Sequence, residues 1–426
     1  MSEENKAYKN PWLFVPTLYF TQGIPFILVN QLSVAMFKSM NADNVFIGLT
    51  SFLYIPWSIK FLWGPFVDST ATKRSWLLMM QLIISTLLFL MALIIQLPSY
   101  IVLSLILLTV IAFSSATQDI AMDGFYLFAL NKGNQALFAG IRSAFYRLAM
   151  LFAGGLLVSL AGILSKDIGI NSSWSVCYVV AGLTFAIIAL YHKFILPKPL
   201  DDLPVKSAAE GIPFGKVFKE YFNQEKIGII LSFILLYRLG EGLMLKMAQP
   251  FLLDKKVVGG LGLTLTEVGI VYGTIGVIAL VIGGIAGGWF IKKYGLKRLI
   301  IPLALCIHLP NLLFVYMAAV QPDFMVQYGA FTFHPVIQLC IFIEQFGYGL
   351  GFTSFTVYLL YISRGKYKTS HYAISTGFMA IGMMVPGFLS GWLQQQIGYF
   401  WLFIVSSIAT IPGFLVLFFL PFTEKE

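Results

Sequence analysis

Nine ionisable side chains lie inside long apolar stretches of this 426-residue sequence: Lys60, Asp119, Asp123, Arg142, Arg147, Arg238, Glu241, Lys246 and Glu344. Each would cost on the order of 2.5–3.5 kcal/mol at the centre of a bilayer, so they must face a cavity or one another. Two kinds of chemistry suit such groups. Bases lining a cavity hold an anion. A carboxyl caught between desolvation and a neighbouring cation can exchange a proton when its surroundings change. Asp119, Asp123, Glu241 and Glu344 are therefore the candidates for proton exchange. Lys60, Arg142, Arg147 and Arg238 are the candidates for holding an anion, with Gln22, Asn30 and Gln345 as neutral hydrogen-bonding groups in the cavity wall.

Spacing refines these assignments. Asp119 and Asp123 are four apart and share one helical face. Lys60, Asp123 and Arg142 fall at similar depth in their segments, so the economical arrangement is a network of Lys60, Asp119, Asp123, Arg142 and Arg147. Such a network either braces three helices or lets one aspartate carry a proton while the bases hold an anionic substrate. Arg238 and Glu241 are three apart, about 18 Å along their helix at 1.5 Å per residue, and form either an intrahelical ion pair or part of a site. Glu344 has no acid or base near it in sequence, which makes it the sharper proton carrier unless it pairs with Arg238 or Lys246. Lys246, nearer the end of its segment, either snorkels to the surface or faces the cavity with the others. Trp57 is deep enough to stack on a sugar ring. His192, His308, His334 and His371 are scattered, and Cys177, Cys306 and Cys340 are an odd set inside apolar segments. No metal site, cofactor or disulfide framework is expected from them.

The elements that must position these groups follow from composition. Hydrophobic residues make up 58% and charged residues 11%, against about 25% charged in a soluble domain. Twelve apolar segments of about 20 residues or more, the length that crosses a bilayer, run roughly over 11–36, 45–67, 75–97, 99–130, 134–164, 173–195, 226–253, 264–291, 298–320, 332–363, 370–395 and 398–421. The expected fold is an all-α polytopic membrane protein of two six-helix bundles. The first covers 1–195 and the second 226–426, with a polar linker over 196–225 whose end, Phe214 to Phe222, could form an amphipathic surface helix. The charge-balanced start is not expected to be a cleavable signal. Helix kinks are expected at Gly23-Ile-Pro25 and at Pro56.

Lysine and arginine set the orientation. The termini and even-numbered connections hold 19 of them and the odd-numbered connections hold 4, namely Lys38, Lys166, Lys255 and Lys256. Both termini are therefore expected in the cytoplasm. The net charge of +9 is a topology signal and does not imply a nucleic-acid partner.

Two loops resemble each other. Gly64-Pro-Phe-Val-Asp68 is followed by Lys73-Arg74, and Gly288-Trp-Phe-Ile-Lys292 is followed by Lys297-Arg298. Both resemble the loop motif of the major facilitator superfamily, in which a glycine opens a tight turn and basic residues bind the cytoplasmic side. By that resemblance Gly64, Asp68, Lys73, Arg74, Gly288, Lys297 and Arg298 are gating candidates, although the second copy has Lys292 at the acidic position.

Three further stretches carry a narrower resemblance: Tyr54 to Asp68 with its K-F-L-W-G-P-F-V-D end, Ser115 to Phe125 with Gln118-Asp119 and Asp123, and Ala144 to Gly155 with Tyr146-Arg147. Together they are similar to the AmpG muropeptide permease family and its acetyl-CoA transporter-like relatives. The match covers 54–155 well and the remainder through topology. It implies that Lys60, Asp68, Gln118, Asp119, Asp123, Tyr146 and Arg147 occupy family motif positions, which adds Gln118 and Tyr146 to the substrate-binding candidates. It also implies proton-driven import of anhydro-muropeptides across the bacterial inner membrane. The expected partners are an anionic glycopeptide-like small molecule, protons and the lipid bilayer, with the protein a monomer. The same fold could carry another anionic cargo, such as an acyl-CoA, a siderophore or a sugar derivative. A membrane enzyme or sensor would need clustered catalytic groups and substantial loops at one face, and the sequence has neither.

Overall fold

The computed structural model describes residues 10–130, 132–200, 202–203, 214–329, 331–363 and 368–422. Apolar helices long enough to cross a membrane run over Pro11–Ser39, Asn44–Leu62, Lys73–Ile94, Tyr100–Ala129, Ile141–Ile168 and Ile170–Ile195 in the first half. In the second half they run over Ile227–Leu253, Leu265–Tyr294, Leu296–Val320, Pro335–Ile362 and His371–Phe419. The last is 49 residues long and breaks at Gly398, where φ is 74° and ψ 171°, a conformation that glycine adopts without a Cβ clash. Divided there, it supplies spans 11 and 12, so the twelve predicted spans are present. Successive crossings put the odd-numbered connections on one side, the odd face, and the even-numbered connections and termini on the other, the even face.

Local sequence explains where the helices depart from regularity. Span 1 holds Pro25 inside Val15–Ile27, and a π-helical turn follows at once over Leu28–Leu32. In span 2, Pro56 lacks an N–H, and the preceding turn tightens into a 3₁₀ stretch over Thr50–Tyr54. Span 7 is broken between Ile227–Leu236 and Leu239–Leu253, with Arg238 at φ −100° and ψ 4°. Further π-helical turns occupy Leu151–Leu156 in span 5 and Val271–Gly276 in span 8.

The loop motif is realised only in its first copy. Gly64 opens a short helix, Gly64–Thr70, directly after a turn at Trp63. Gly288 makes no turn: it lies inside the helix Val277–Tyr294, and the chain reverses at Gly295, with φ 82°. The expectation of a turn at Gly288 is thus corrected, because helical sequence continues for six further residues. Lys73 and Arg74 begin span 3, where both backbone N–H groups donate to the Asp202 carboxylate at 2.7 and 3.0 Å. A carboxylate here also complements the positive end of the helix. Arg74 Nη2 donates to the Lys193 carbonyl at 2.6 Å, tying span 3 to the end of span 6. Lys297 and Arg298 are exposed in the first turn of span 9. The Asp68 side chain lies outside the described residues.

The expected linker helix forms over Phe214–Phe222. Tyr221 is buried against Ile374 of span 11 and shares a 2.9 Å hydrogen bond with Ser375, while Phe218 meets Phe61 of span 2 at 6.1 Å between ring centroids. A small antiparallel hairpin, Val326–Tyr328 with Phe331–Phe333, joins spans 9 and 10.

The apolar core is shared by the two halves toward the odd face, where Phe37, Ile47 and Leu157 belong to one cluster with Met244, Phe251 and Tyr399. Toward the even face it divides. Phe14, Leu77 and Phe125 centre one cluster in the first bundle, and Phe233, Phe355 and Leu359 centre another in the second. Spans 5 and 8 touch through bare backbone: a Cβ on Gly273 would collide with the Gly154 carbonyl, and one on Gly155 would come within 2.7 Å of Thr274 Oγ1. Overfilling such a contact costs about 1–3 kcal/mol. Gly273→Ala is therefore expected to lower the unfolding temperature in detergent, whereas Gly288→Ala, whose Cβ would meet nothing within 4 Å, is expected to leave it unchanged.

Candidate functional site

A cavity of about 460 Å³ lies between the bundles, with walls from spans 1, 2, 5, 7, 8, 10 and 11. The π-helical turn of span 1 carries Asn30 and Gln31 into it. Span 5 adds Tyr146 and Arg147, and span 7 adds Arg238, Gly242, Leu245, Lys246 and Gln249. Aromatic walls come from Phe26, Tyr54, Tyr272, Tyr348 and Phe352, and thioethers from Met379, Met383 and Met384. Among the described residues, three cations thus line an aromatic and amide-rich chamber and no carboxylate is part of the lining.

The second bundle supplies a buried ion pair at the cavity wall. Arg238 Nη2 lies 2.5 Å from Glu241 Oε1 and 2.7 Å from the Tyr348 hydroxyl, and the Arg238 guanidinium sits over the Phe352 ring at 4.9 Å. Glu241 falls in the first turn of the half-helix Leu239–Leu253, where a negative charge is favoured. Glu344 is 1% exposed. It takes neither of the cations its sequence position left open. Its Oε2 instead accepts from the adjacent Gln345 amide at 2.9 Å, and it makes no ion pair among the described residues.

The first bundle resolves the expected five-residue network into two pairs and a separate arginine. Lys60 bonds Asp119 at 3.3 Å, with Gln22 beside the same carboxyl. Arg142 bonds Asp123 at 2.9 Å and lies over the rings of Tyr19 and Tyr126, which meet edge to face, 4.3 and 4.5 Å from its guanidinium carbon. This cation–π box draws Arg142 away from Asp119. Arg147 stands apart in the cavity wall, next to Gly284 of span 8. Gln118 is fully buried and donates to the Thr21 carbonyl at 3.3 Å, facing span 1 and outside the cavity lining. Trp57 is also outside the lining and packs on Phe26, which is in it.

Two groups were left unassigned by the sequence reading. Lys246 lines the cavity and does not snorkel outward; it shares a helix face with Gly242 and Gln249, a periodicity that could have revealed it. The other is a polar seal on the odd face. Lys38 of span 1 bonds Asp254 at the end of span 7 at 2.7 Å. The Asn44 amide, in span 2, donates to Gln394 at 2.7 Å and to the Tyr399 hydroxyl at 2.9 Å, and that hydroxyl donates to Asp254 at 2.6 Å. Among the described residues, the hydrogen bonds and ion pairs that join the two bundles all lie toward this face, the Ser159–Thr266 contact of spans 5 and 8 included. Sequence gave no hint of these pairs, whose members are 216 and 355 positions apart.

The sequence profile of the Major Facilitator Superfamily matches residues 17–333 and 241–426. The chain is 26% identical over 407 residues to the anhydromuropeptide permease of Escherichia coli, an alignment covering 94% of this chain and 77% of that protein. Among solved structures it is similar to a D-xylose-proton symporter, with a TM-score of 0.72, 11% identity and coverage of 97% and 98% of the two chains. It is also similar to the nucleoside transporter NupG, with a TM-score of 0.70, 15% identity and coverage of 96% and 99%. At these identities the structural likenesses establish the fold.

Removing one partner of a buried ion pair strands the other charge, at a cost of about 3–5 kcal/mol. Glu241→Ala is therefore expected to destabilise the protein by that order, and adding Arg238→Met is expected to recover much of the loss. Thermal unfolding of the single and double variants measures both, and an unchanged Glu241→Ala protein would mean that Arg238 is compensated elsewhere.

Proposed function

The chain belongs to the Major Facilitator Superfamily and is a secondary transporter of the membrane, and on that premise we propose that it imports anhydro-muropeptides in symport with protons across a bacterial inner membrane. The observation that carries this reading is the central cavity, where Arg147 and Lys246 make no ion pair among the described residues while amides and aromatic rings surround them. Such a lining suits a glycopeptide: acidic groups meet the cations, sugar hydroxyls meet Asn30 and Gln31, and the apolar faces of sugar rings meet Tyr54, Tyr146 and Tyr272. The muropeptide cargo named for the Escherichia coli relative has this chemistry.

The protein works by alternating access, with 1–195 and 226–426 as the moving bodies and 196–225 as their tether. The lysine and arginine asymmetry puts the even face and both termini in the cytoplasm. A core divided on the even face and a polar seal on the odd face then correspond to a chamber closed toward the outside. For cargo to enter from outside, Lys38 must part from Asp254 and Asn44 from Tyr399, while Gly155 and Gly273 serve as the pivot at which spans 5 and 8 remain in contact.

Proton coupling is assigned to Glu344, because it alone among the four acids within spans, Asp119, Asp123, Glu241 and Glu344, has no cation paired with it among the described residues. An unpaired carboxylate held in an apolar interior is costly, so the group is neutral when enclosed and can ionise when its surroundings are wetted. Asp119 and Asp123 each hold a base and act as braces that adjust with the substrate. The Asp202 clamp and the Gly64 turn set the inner gate at spans 2 and 3.

Two outcomes are expected. In membrane vesicles, labelled anhydro-muropeptide accumulates with an inward proton gradient, and Glu344→Gln abolishes accumulation while counterflow exchange persists. Uptake indifferent to collapse of the gradient would exclude symport. In the Lys38→Cys, Asp254→Cys double variant, a short bis-methanethiosulfonate cross-linker is expected to stop transport and a reductant to restore it; full transport by the cross-linked protein would exclude opening at the odd face.

A further inference from the structure

The cations of the cavity are not gathered at one point. Arg238 marks the break of span 7, and Lys246 follows eight residues later on the unbroken half-helix Leu239–Leu253, about 12 Å along the axis at 1.5 Å per residue. Arg147 belongs to the Arg238 end, because it stands against Gly284 of span 8 and near Tyr348, the residue that bonds Arg238. Lys246 belongs to the other end, eight residues before Asp254 of the odd-face seal. One turn beyond it is Gln249, which lines the same cavity, is 5% exposed and has a buried side-chain carbonyl without a hydrogen-bond partner. A buried acceptor left open in a cavity wall is costly unless a ligand fills it.

We propose that Lys246 and Gln249 form a subsite for a peptide carboxyl terminus, and that the cargo also carries a second acidic group, which binds at the Arg147–Arg238 end. The inference rests on the transport reading above and specifies which end of the cargo goes where. A terminal residue offers a carboxylate and, within the same residue, a backbone N–H. Lys246 Nζ takes the first, and the Gln249 carbonyl accepts from the second. Because a lysine supplies a compact charge with freely turning donors, it tolerates different terminal side chains while still demanding the carboxylate. Between the two poles Asn30, Gln31 and Tyr54 are left for neutral parts of the molecule. The peptide then points into the closed end of the chamber, and the remainder of the cargo lies toward the even face.

The test compares uptake of one anhydro-muropeptide with a free peptide carboxyl terminus and the same compound with that terminus amidated. A hydrogen bond to a charged group carries enough energy for a tenfold effect or more. Wild-type protein is expected to show a KM about tenfold higher for the amide. Lys246→Met is expected to show a raised KM for the free acid and no discrimination between the two, with Lys246→Arg restoring part of it. Gln249→Leu, which keeps the charge, is expected to raise the KM for both forms while retaining discrimination, and so guards against misfolding of the lysine variant. If Lys246→Met distinguishes acid from amide as wild type does, or if wild type treats the two alike, the subsite is overturned while the transport function stands. If wild type moves neither compound, the muropeptide reading itself falls and the subsite with it.

Discussion

Moving a charge into hydrocarbon without a partner costs several kcal/mol, and the arrangement of the interior follows from how each charged group meets that cost. Lys60 with Asp119, Arg142 with Asp123 and Arg238 with Glu241 meet it by pairing. Arg142 adds two tyrosine faces, and Arg238 adds a tyrosine hydroxyl and a phenylalanine face. Arg147 and Lys246 meet it by facing the cavity. Glu344 has only the neighbouring amide. On the transport reading proposed above, the three solutions divide the labour: paired groups hold helices together, cavity-facing bases await an anion, and the carboxyl without a cation is the one whose charge is cheapest to remove.

Backbone irregularity is concentrated where the bundles meet. The π-helical turns of spans 5 and 8 lie against each other through Gly155 and Gly273, and the turn in span 1 presents Asn30 and Gln31 to the cavity. Such turns are frequent at functional sites because they leave backbone groups out of regular register. The break in span 7 has the same effect, turning Arg238 inward at the start of a half-helix. Small residues permit close approach where spans 5 and 8 cross, and the absence of side chains there removes interlocking that would resist the rotation proposed above.

Much of this was legible before any coordinates. Apolar length and amphipathic pattern are one-dimensional signals, so the twelve spans and the linker helix could be read directly. Pairs close in sequence or in matching depth were legible too: Arg238 with Glu241, and Lys60 with an aspartate of the next face. The five-residue network was not, because depth says nothing of rotation about the helix axis, and two tyrosines rotate Arg142 toward Asp123. Gly288 misled because its motif resembles that of Gly64, whereas helical sequence carries through to Gly295. Lys246 stayed open because its position near a helix end fits snorkelling as well as it fits a cavity. The odd-face seal was beyond reach, since Lys38, Asn44, Asp254 and Tyr399 meet only after the two halves close on each other.

That seal has a consequence for the solvent on either side. It is built from an ammonium, a carboxylate, amides and a phenol, groups that water can rehydrate when they part, whereas toward the even face the two halves present separate apolar clusters. Lys38 and Asp254 are mostly covered while paired, so dissolved salt acts chiefly on the separated groups once water reaches them, while apolar contacts tighten in solutions of strongly excluded salts and osmolytes. The two faces therefore respond to different properties of their surroundings, and under the proposed orientation and alternating access the external medium acquires a voice in how often the chamber opens to it. A transporter at a surface of variable salinity would have its resting conformation set partly by ionic strength on one side of the membrane alone.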